Sequence, residues 1–250
     1  MTGPDAPGRS PALDALRGFD MFMLVGGCHV GRELLGLSSA PWAGTLALQF
    51  KHATWEGFRF YDLIFPLFLF AIGASVPYAI AKRRERGDSL GSIYGHVLLR
   101  VALMVFFGMM VNGDLLSLDP SKFNLTYSVL QMLALGYLVA VICHLHLPLK
   151  GQIAATAAFL VIYWALQTFV PVPGHQVGVY APQANFGDWL NTWILGDLQG
   201  KWRLGWILGI LTHGSTAMLG VFAACVLRSS HTPLKKVRIL AAIGAGCLLV

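Results

Sequence analysis

Five ionisable side chains fall within twelve positions of this sequence: Lys51, His52, Glu56, Arg59 and Asp62. They belong to the stretch Gln49-Phe-Lys-His-Ala-Thr-Trp-Glu-Gly-Phe-Arg-Phe-Tyr-Asp-Leu-Ile-Phe-Pro, which leads directly into an apolar run. An imidazole beside a carboxylate has a fixed tautomer and orientation, which is what a general base or a nucleophilic histidine needs. On helical backbone, His52 and Glu56 (i, i+4) share a face, and so do Arg59 and Asp62 (i, i+3). Either carboxylate, Glu56 or Asp62, is placed to orient the ring. The interleaved Trp55, Phe58, Phe60 and Tyr61 read as an aromatic belt at a membrane–water boundary. The competing role for His52 is a hydrogen-bonded interfacial anchor. From residue types alone the stretch is a polar constellation at the mouth of a span.

A second cluster is Leu13-Asp-Ala-Leu-Arg-Gly-Phe-Asp, where Asp14 is placed to cap a helix and to pair with Arg17 one turn later. An arginine there is also suited to a phosphate-bearing ligand. His96 and Arg100 share a helical face, and His213 stands alone in an apolar run. Cys28, Cys143, Cys225 and Cys247 are widely separated, so neither a metal site nor a disulfide framework is implied.

The elements that must hold these residues follow from composition. Of 250 residues, 56% are hydrophobic and 12% charged, against about 25% charged in a soluble domain. Net charge is +6. This excludes disorder, a nucleic-acid-binding surface and an ordinary soluble globule. Apolar runs long enough to cross the bilayer as helices lie near 18–37, 61–81, 92–113, 126–147, 152–171 and 206–227, with a short one at 239–250 that reads as a stub or as the start of a longer protein. The expected fold is all-α, a polytopic transmembrane bundle of six to seven spans. The first run carries Asp20, His29 and Arg32, so it should face protein or water rather than lipid. Pro66 and Pro77 should bend or break the second.

Charge sets the expected orientation. Arg9, Arg17, Lys82, Arg83, Arg84, Arg86, Lys150, Arg228, Lys235, Lys236 and Arg238 fall on one side, against Arg32, Lys51, Arg59, Lys122, Lys201 and Arg203 on the other. Residues 1–17 then form a cytoplasmic segment and 18–250 the membrane domain, with 38–60, 114–125 and 172–205 extracytoplasmic. Within the last of these, Phe186, Leu190, Trp193 and Ile194 recur at helical spacing and predict an interfacial amphipathic helix.

Four motifs carry a family resemblance: Asp14-Ala-Leu-Arg-Gly-Phe-Asp-Met-Phe, Lys51-His-Ala-Thr-Trp-Glu-Gly, Asp62-Leu-Ile-Phe-Pro-Leu-Phe-Leu-Phe and Val129-Leu-Gln. In order and spacing the sequence resembles the transmembrane acyltransferases related to heparan-alpha-glucosaminide N-acetyltransferase, and among them the bacterial members. The resemblance implies an acetyl-CoA-dependent N- or O-acetyltransferase that moves an acetyl group from cytosolic acetyl-CoA to an extracytoplasmic amino sugar or glycan. The setting it implies is the bacterial inner membrane, with a homodimer as a compatible assembly. It implies a catalytic role for His52 and a matching one for Asp62. Asp14, Arg17 and Gln131 fall on motif positions that, with Arg100, are assigned to acetyl-CoA, and Cys28, His29, Trp55 and Arg59 are assigned to the acceptor. The sequence differs from the animal enzyme at Cys28, which takes the place of an asparagine, and at Met132, which follows Gln131 where an arginine is usual. The family usually has more spans than this sequence holds. A transporter-like bundle without chemistry and a truncated, inactive acyltransferase relative are the competing readings.

Overall fold

In lipid, a backbone must satisfy its own hydrogen bonds, so long apolar runs fold as helices. In the computed structural model of the chain, which describes residues 10–113, 115–119, 122, 125, 128–199 and 205–248, every regular element among the described residues is helical. Arg9, Lys201 and Arg203 lie outside them. Among the described residues, five helices are long and apolar enough to cross a membrane: α4 (Phe60–Glu85), α5 (Leu90–Asn112), α6 (Val129–His146), α7 (Leu149–Phe169) and α9 (Trp206–Arg228). They match five of the runs read from the sequence.

The first span differs from expectation in two ways. Its helix begins earlier, at Pro11, where proline's fixed φ and missing N–H suit an opening turn. Ser10, not Asp14, holds the N-cap position, and Asp14 lies inside the first turn. The span also changes winding: α1 (Pro11–Phe22) passes through a π-helical segment (Met23–Gly27) into α2 (Cys28–Gly36), with helical dihedrals at both junctions. π-segments inside helices recur at functional sites because the extra residue re-aims the side chains beyond it. Asp20 has no exposed surface, in keeping with a protein-facing position, yet neither carboxylate oxygen has a hydrogen-bond partner.

A further helix, α3 (Pro41–Leu48), occupies part of the segment 38–60 read as a connection. The helix foreseen within 172–205 is α8 (Phe186–Leu195), which packs Phe186, Trp189 and Leu190 into a cluster with Val172 and Leu208. Asn185, Asp188 and Asn191 are buried with Phe186, whereas Trp193 and Ile194 are exposed. The buried polar side chains have partners there: Asn185 Nδ2 donates to Asp188 Oδ2 at 2.8 Å, and Asn191 Oδ1 accepts the Ile207 N–H at 2.8 Å. The short run at the end is longer than expected, as α10 (Pro233–Leu248).

The core sits where α4, α6 and α9 meet, built from Leu69, Ile72 and Val76, from Leu133, Tyr137 and Val141, and from Ala217, Met218 and Val221, with Ile93 and Val97 of α5 packed against them. Because lipid tails are as apolar as leucine, helix association here depends on close packing of small residues. A Cβ on Gly73 would overlap the Ala217 carbonyl, and one on Gly220 would overlap that of Phe70, so α4 and α9 are in backbone contact. α4 is one continuous helix through Pro66 and Pro77, so of the bend or break expected there no break occurs. Prolines that withhold N–H groups from the carbonyls of Asp62 and Gly73 are tolerated in a helix braced this way.

Candidate active site

The start of α4 shows how the local fold builds the constellation. A helix N-terminus leaves its first N–H groups without intrahelical partners. Gln49, at the end of α3, takes two of them: its Oε1 accepts the Phe60 N–H at 3.2 Å and its backbone carbonyl accepts the Tyr61 N–H at 2.9 Å. Residues 51–59 are thereby held as a non-helical strap between α3 and α4. Asp62, in the first turn of α4, grips that strap. Its Oδ2 accepts N–H groups from Arg59 at 3.0 Å and Ala53 at 3.3 Å, and its Oδ1 meets His52 Nδ1 at 2.7 Å. The Arg59 guanidinium closes the loop on the His52 carbonyl at 2.8 Å.

One consequence is chemical. A proton on Nδ1 donated to Asp62 leaves the Nε2 lone pair as the basic position of the ring. The tautomer is assigned from this network. Tyr61 meets the imidazole in an edge contact, with ring centroids 4.5 Å apart. The histidine side chain remains 71% exposed against 25% for Asp62, so the ring is restrained at one nitrogen and open elsewhere.

His52 lines a cavity of about 270 Å³. Its other walls are Phe50, Lys51 and Tyr61 on the strap side, and Met23, Gly26, Cys28, His29 and Arg32 across the gap. The π-segment therefore forms one wall of the site. Arg32 sits beside Glu33 at 2.7 Å and within 3.4 Å of the His29 ring. Cys28 is buried with its Sγ 3.9 Å from the Met23 sulfur. Two opposed elements thus enclose a polar space with an oriented imidazole, an arrangement that suits deprotonating a bound amine or hydroxyl.

The profile of a family described as a domain of unknown function, DUF5009, matches residues 9–142. The chain belongs to the DUF5009 family. Human heparan-alpha-glucosaminide N-acetyltransferase is 26% identical over 210 residues, covering 74% of this chain and 30% of that protein. The mouse protein of the same name is 27% identical over 181 residues, covering 63% of this chain and 27% of its own length. The chain thus spans less than a third of either relative. The family resemblance read from the four motifs is borne out.

The DUF5009 region contains α1 to most of α6, and the remaining candidate residues within it are dispersed. Glu56 is exposed on the non-helical strap, so the shared face with His52 does not form; no hydrogen bond joins the two, and the carboxylate on the ring is Asp62. Arg59 is likewise outside α4, so its contact with Asp62 runs through backbone N–H rather than through a helical i, i+3 pair. Trp55 turns away from His52, and its indole N–H donates to the Tyr180 carbonyl at 3.0 Å. Arg17 lies 3.6 Å from Asp14, as the spacing implied. Gln131 is 1% exposed and its amide is fully engaged: Oε1 accepts the Ser128 N–H at 3.1 Å, and Nε2 donates to the Leu125 carbonyl. That is a capping box at the start of α6. Arg100 stacks over the Tyr137 ring at 4.8 Å.

Sequence reading gave no role to Gln49, although it clamps the strap. A lone amide ahead of a proline-containing span carries no distinctive signal. Tyr61 was visible only as one aromatic among several, and the π-segment left no mark beyond the paired glycines Gly26 and Gly27.

Proposed function

We propose that the chain is the His52-bearing part of a membrane-embedded acetyltransferase, taking an acetyl group from cytosolic acetyl-CoA and passing it to an amino sugar or glycan on the other side of the membrane. The reading rests most on the 2.7 Å contact between His52 and Asp62 at the wall of a polar cavity, within a chain similar to two N-acetyltransferases. His52 Nε2 takes the proton from the acceptor's amine or hydroxyl as that atom attacks the thioester carbonyl. The tetrahedral intermediate then collapses, the carbon–sulfur bond breaks, and the leaving thiolate recovers the proton from the imidazolium. Asp62 orients the ring and offsets its transient charge. His29, Arg32 and Lys51 give the cavity polar donors for an acceptor and Cys28 lines it with them, while Arg59 holds the His52 carbonyl and Trp55 is engaged at Tyr180 outside the lining. Asp14, Arg17 and Arg100 are the candidate donor-side residues, and the family motif adds Gln131, whose amide caps α6.

The test is transfer of label from acetyl-CoA to glucosamine by the protein reconstituted in liposomes. His52→Ala should lower the rate by about 10²–10⁴, and Asp62→Asn, a positioning change, should lower kcat with little change in KM. Hydroxylamine-sensitive label on wild-type protein, absent from His52→Ala, would replace the general base with an acetyl-imidazole intermediate. Uptake of glucosamine without acetylation would instead mark a transporter and overturn the proposal.

A further inference from the structure

A second cavity lies at the far end of α4. With 26 residues in that helix, the two ends are separated by about 39 Å, roughly a membrane's thickness. This cavity, of about 320 Å³, is lined by Arg84, His144, Arg228, Cys225 and Ser229, with Pro77 and neighbouring aliphatic side chains below them. Three helices, α4, α6 and α9, end around it.

Its charge is not balanced from within. Arg83, next in sequence, is paired with Asp88 at 2.9 Å, but among the described residues neither Arg84 nor Arg228 has an acidic partner. Arginines at helix C-termini do offset the helix dipole, and Arg228 partly does so, donating one N–H to the Pro77 carbonyl and stacking near Tyr78. A guanidinium has five N–H donors, so that role leaves most of the fork unused. His144 adds an imidazole to the lining, its Nδ1 enclosed beside the Gln152 side chain. Two unneutralised guanidiniums and an imidazole nitrogen, converging over an apolar floor, form a receptor for a tetrahedral oxyanion attached to an apolar body.

We propose that this pocket binds a phosphate group, independently of the chemistry at His52. The phosphate has two possible sources, the headgroup of an anionic phospholipid and a soluble diphosphate. The apolar floor and the position at a helix-bundle end agree with the basic interhelical pockets that hold acidic lipids.

Cys225 gives a readout in the unaltered pocket. In a Cys247→Ser background, Cys225 is the one exposed thiol, since Cys28 and Cys143 are buried. Its alkylation rate is measured in phosphatidylcholine nanodiscs, in nanodiscs doped with phosphatidylglycerol, and in phosphatidylcholine with added inorganic pyrophosphate. Slowing by phosphatidylglycerol alone assigns a headgroup, slowing by pyrophosphate alone assigns a soluble ligand, and slowing by both assigns the shared phosphate chemistry. No slowing by either overturns the proposal. As a second arm, native mass spectrometry compares retained phosphatidylglycerol in Arg84→Gln/Arg228→Gln and in Lys82→Gln/Arg86→Gln, which removes the same charge outside the pocket. Where the headgroup is the ligand, the first pair loses about tenfold in retention and the second little. Equal losses would reduce the effect to general surface charge and overturn it.

Discussion

The α4–α9 seam and the α1–π–α2 span are built on opposite principles. In the seam, Gly73 and Gly220 bring two helix backbones into contact, and Leu69, Val76, Ala217 and Met218 are sealed around them. The first span touches the bundle mainly through Leu13 and Asp20 and leaves Phe22, Val25 and Val30 exposed. His52 stands between the two. Its carboxylate partner belongs to the first turn of the rigid seam helix, whereas the opposite cavity wall belongs to the loosely packed span. The difference teaches that orientation of the imidazole is assigned to the element least able to move. Adaptation to a ligand is left to the element with few fixed neighbours.

Substitutions at the two regions should separate them. The largest effect belongs to the seam: Gly220→Val forces atoms into the α4 backbone and should cost more than about 3 kcal/mol, read as loss of folded protein in detergent by thermal unfolding. Gly18→Ala, on the first span with nothing within 4 Å of the new methyl, should stay within about 0.5 kcal/mol or gain slightly from helix propensity. If both behave alike, the contrast is broken.

The next largest effect is at the α6 cap. Gln131→Ala leaves the Ser128 N–H and the Leu125 carbonyl without their partner and should cost about 1–3 kcal/mol. A fall in stability with acetyl-CoA KM unchanged would confine Gln131 to capping. Within the π-segment, Gly27→Ala places a methyl 2.8 Å from the Phe22 ring and 3.0 Å from the Phe22 carbonyl, a contact at the edge of what the backbone accepts. The ring can turn outward, so the cost should be about 1 kcal/mol, with a larger change in acceptor KM than in thermal stability because this wall faces His52. Between that and Gly18→Ala falls Trp55→Phe, which removes one exposed hydrogen bond to Tyr180 and should cost about 0.5–1 kcal/mol with kcat unchanged.

Much of the site was legible in the order of residues. His52 and Asp62 were named from type and spacing, and the family resemblance followed from short motifs around them. The choice between Glu56 and Asp62 was not legible, because it depended on whether 51–59 is helical. Gln49 decides that by taking the first N–H groups of α4, an interaction between residues eleven and twelve positions apart that leaves no periodic trace. The burial of Asn185, Asp188 and Asn191 beside the apolar contacts of α8 was hidden for a similar reason. Its apolar pattern was visible, but which polar side chains turned inward depended on partners such as the Ile207 N–H.

Hydropathy and length alone determined that the chain is a helical membrane protein, because the cost of unsatisfied backbone in lipid permits few other answers. The tertiary structure decided which carboxylate meets His52, that the first span re-winds at Met23–Gly27 to face it, and that Arg84, His144 and Arg228 converge from three helices. The first rests on the Gln49 clamp at the start of α4, and the last on contacts between helices far apart in the chain, where Gly73 and Gly220 let the α4 and α9 backbones approach closely.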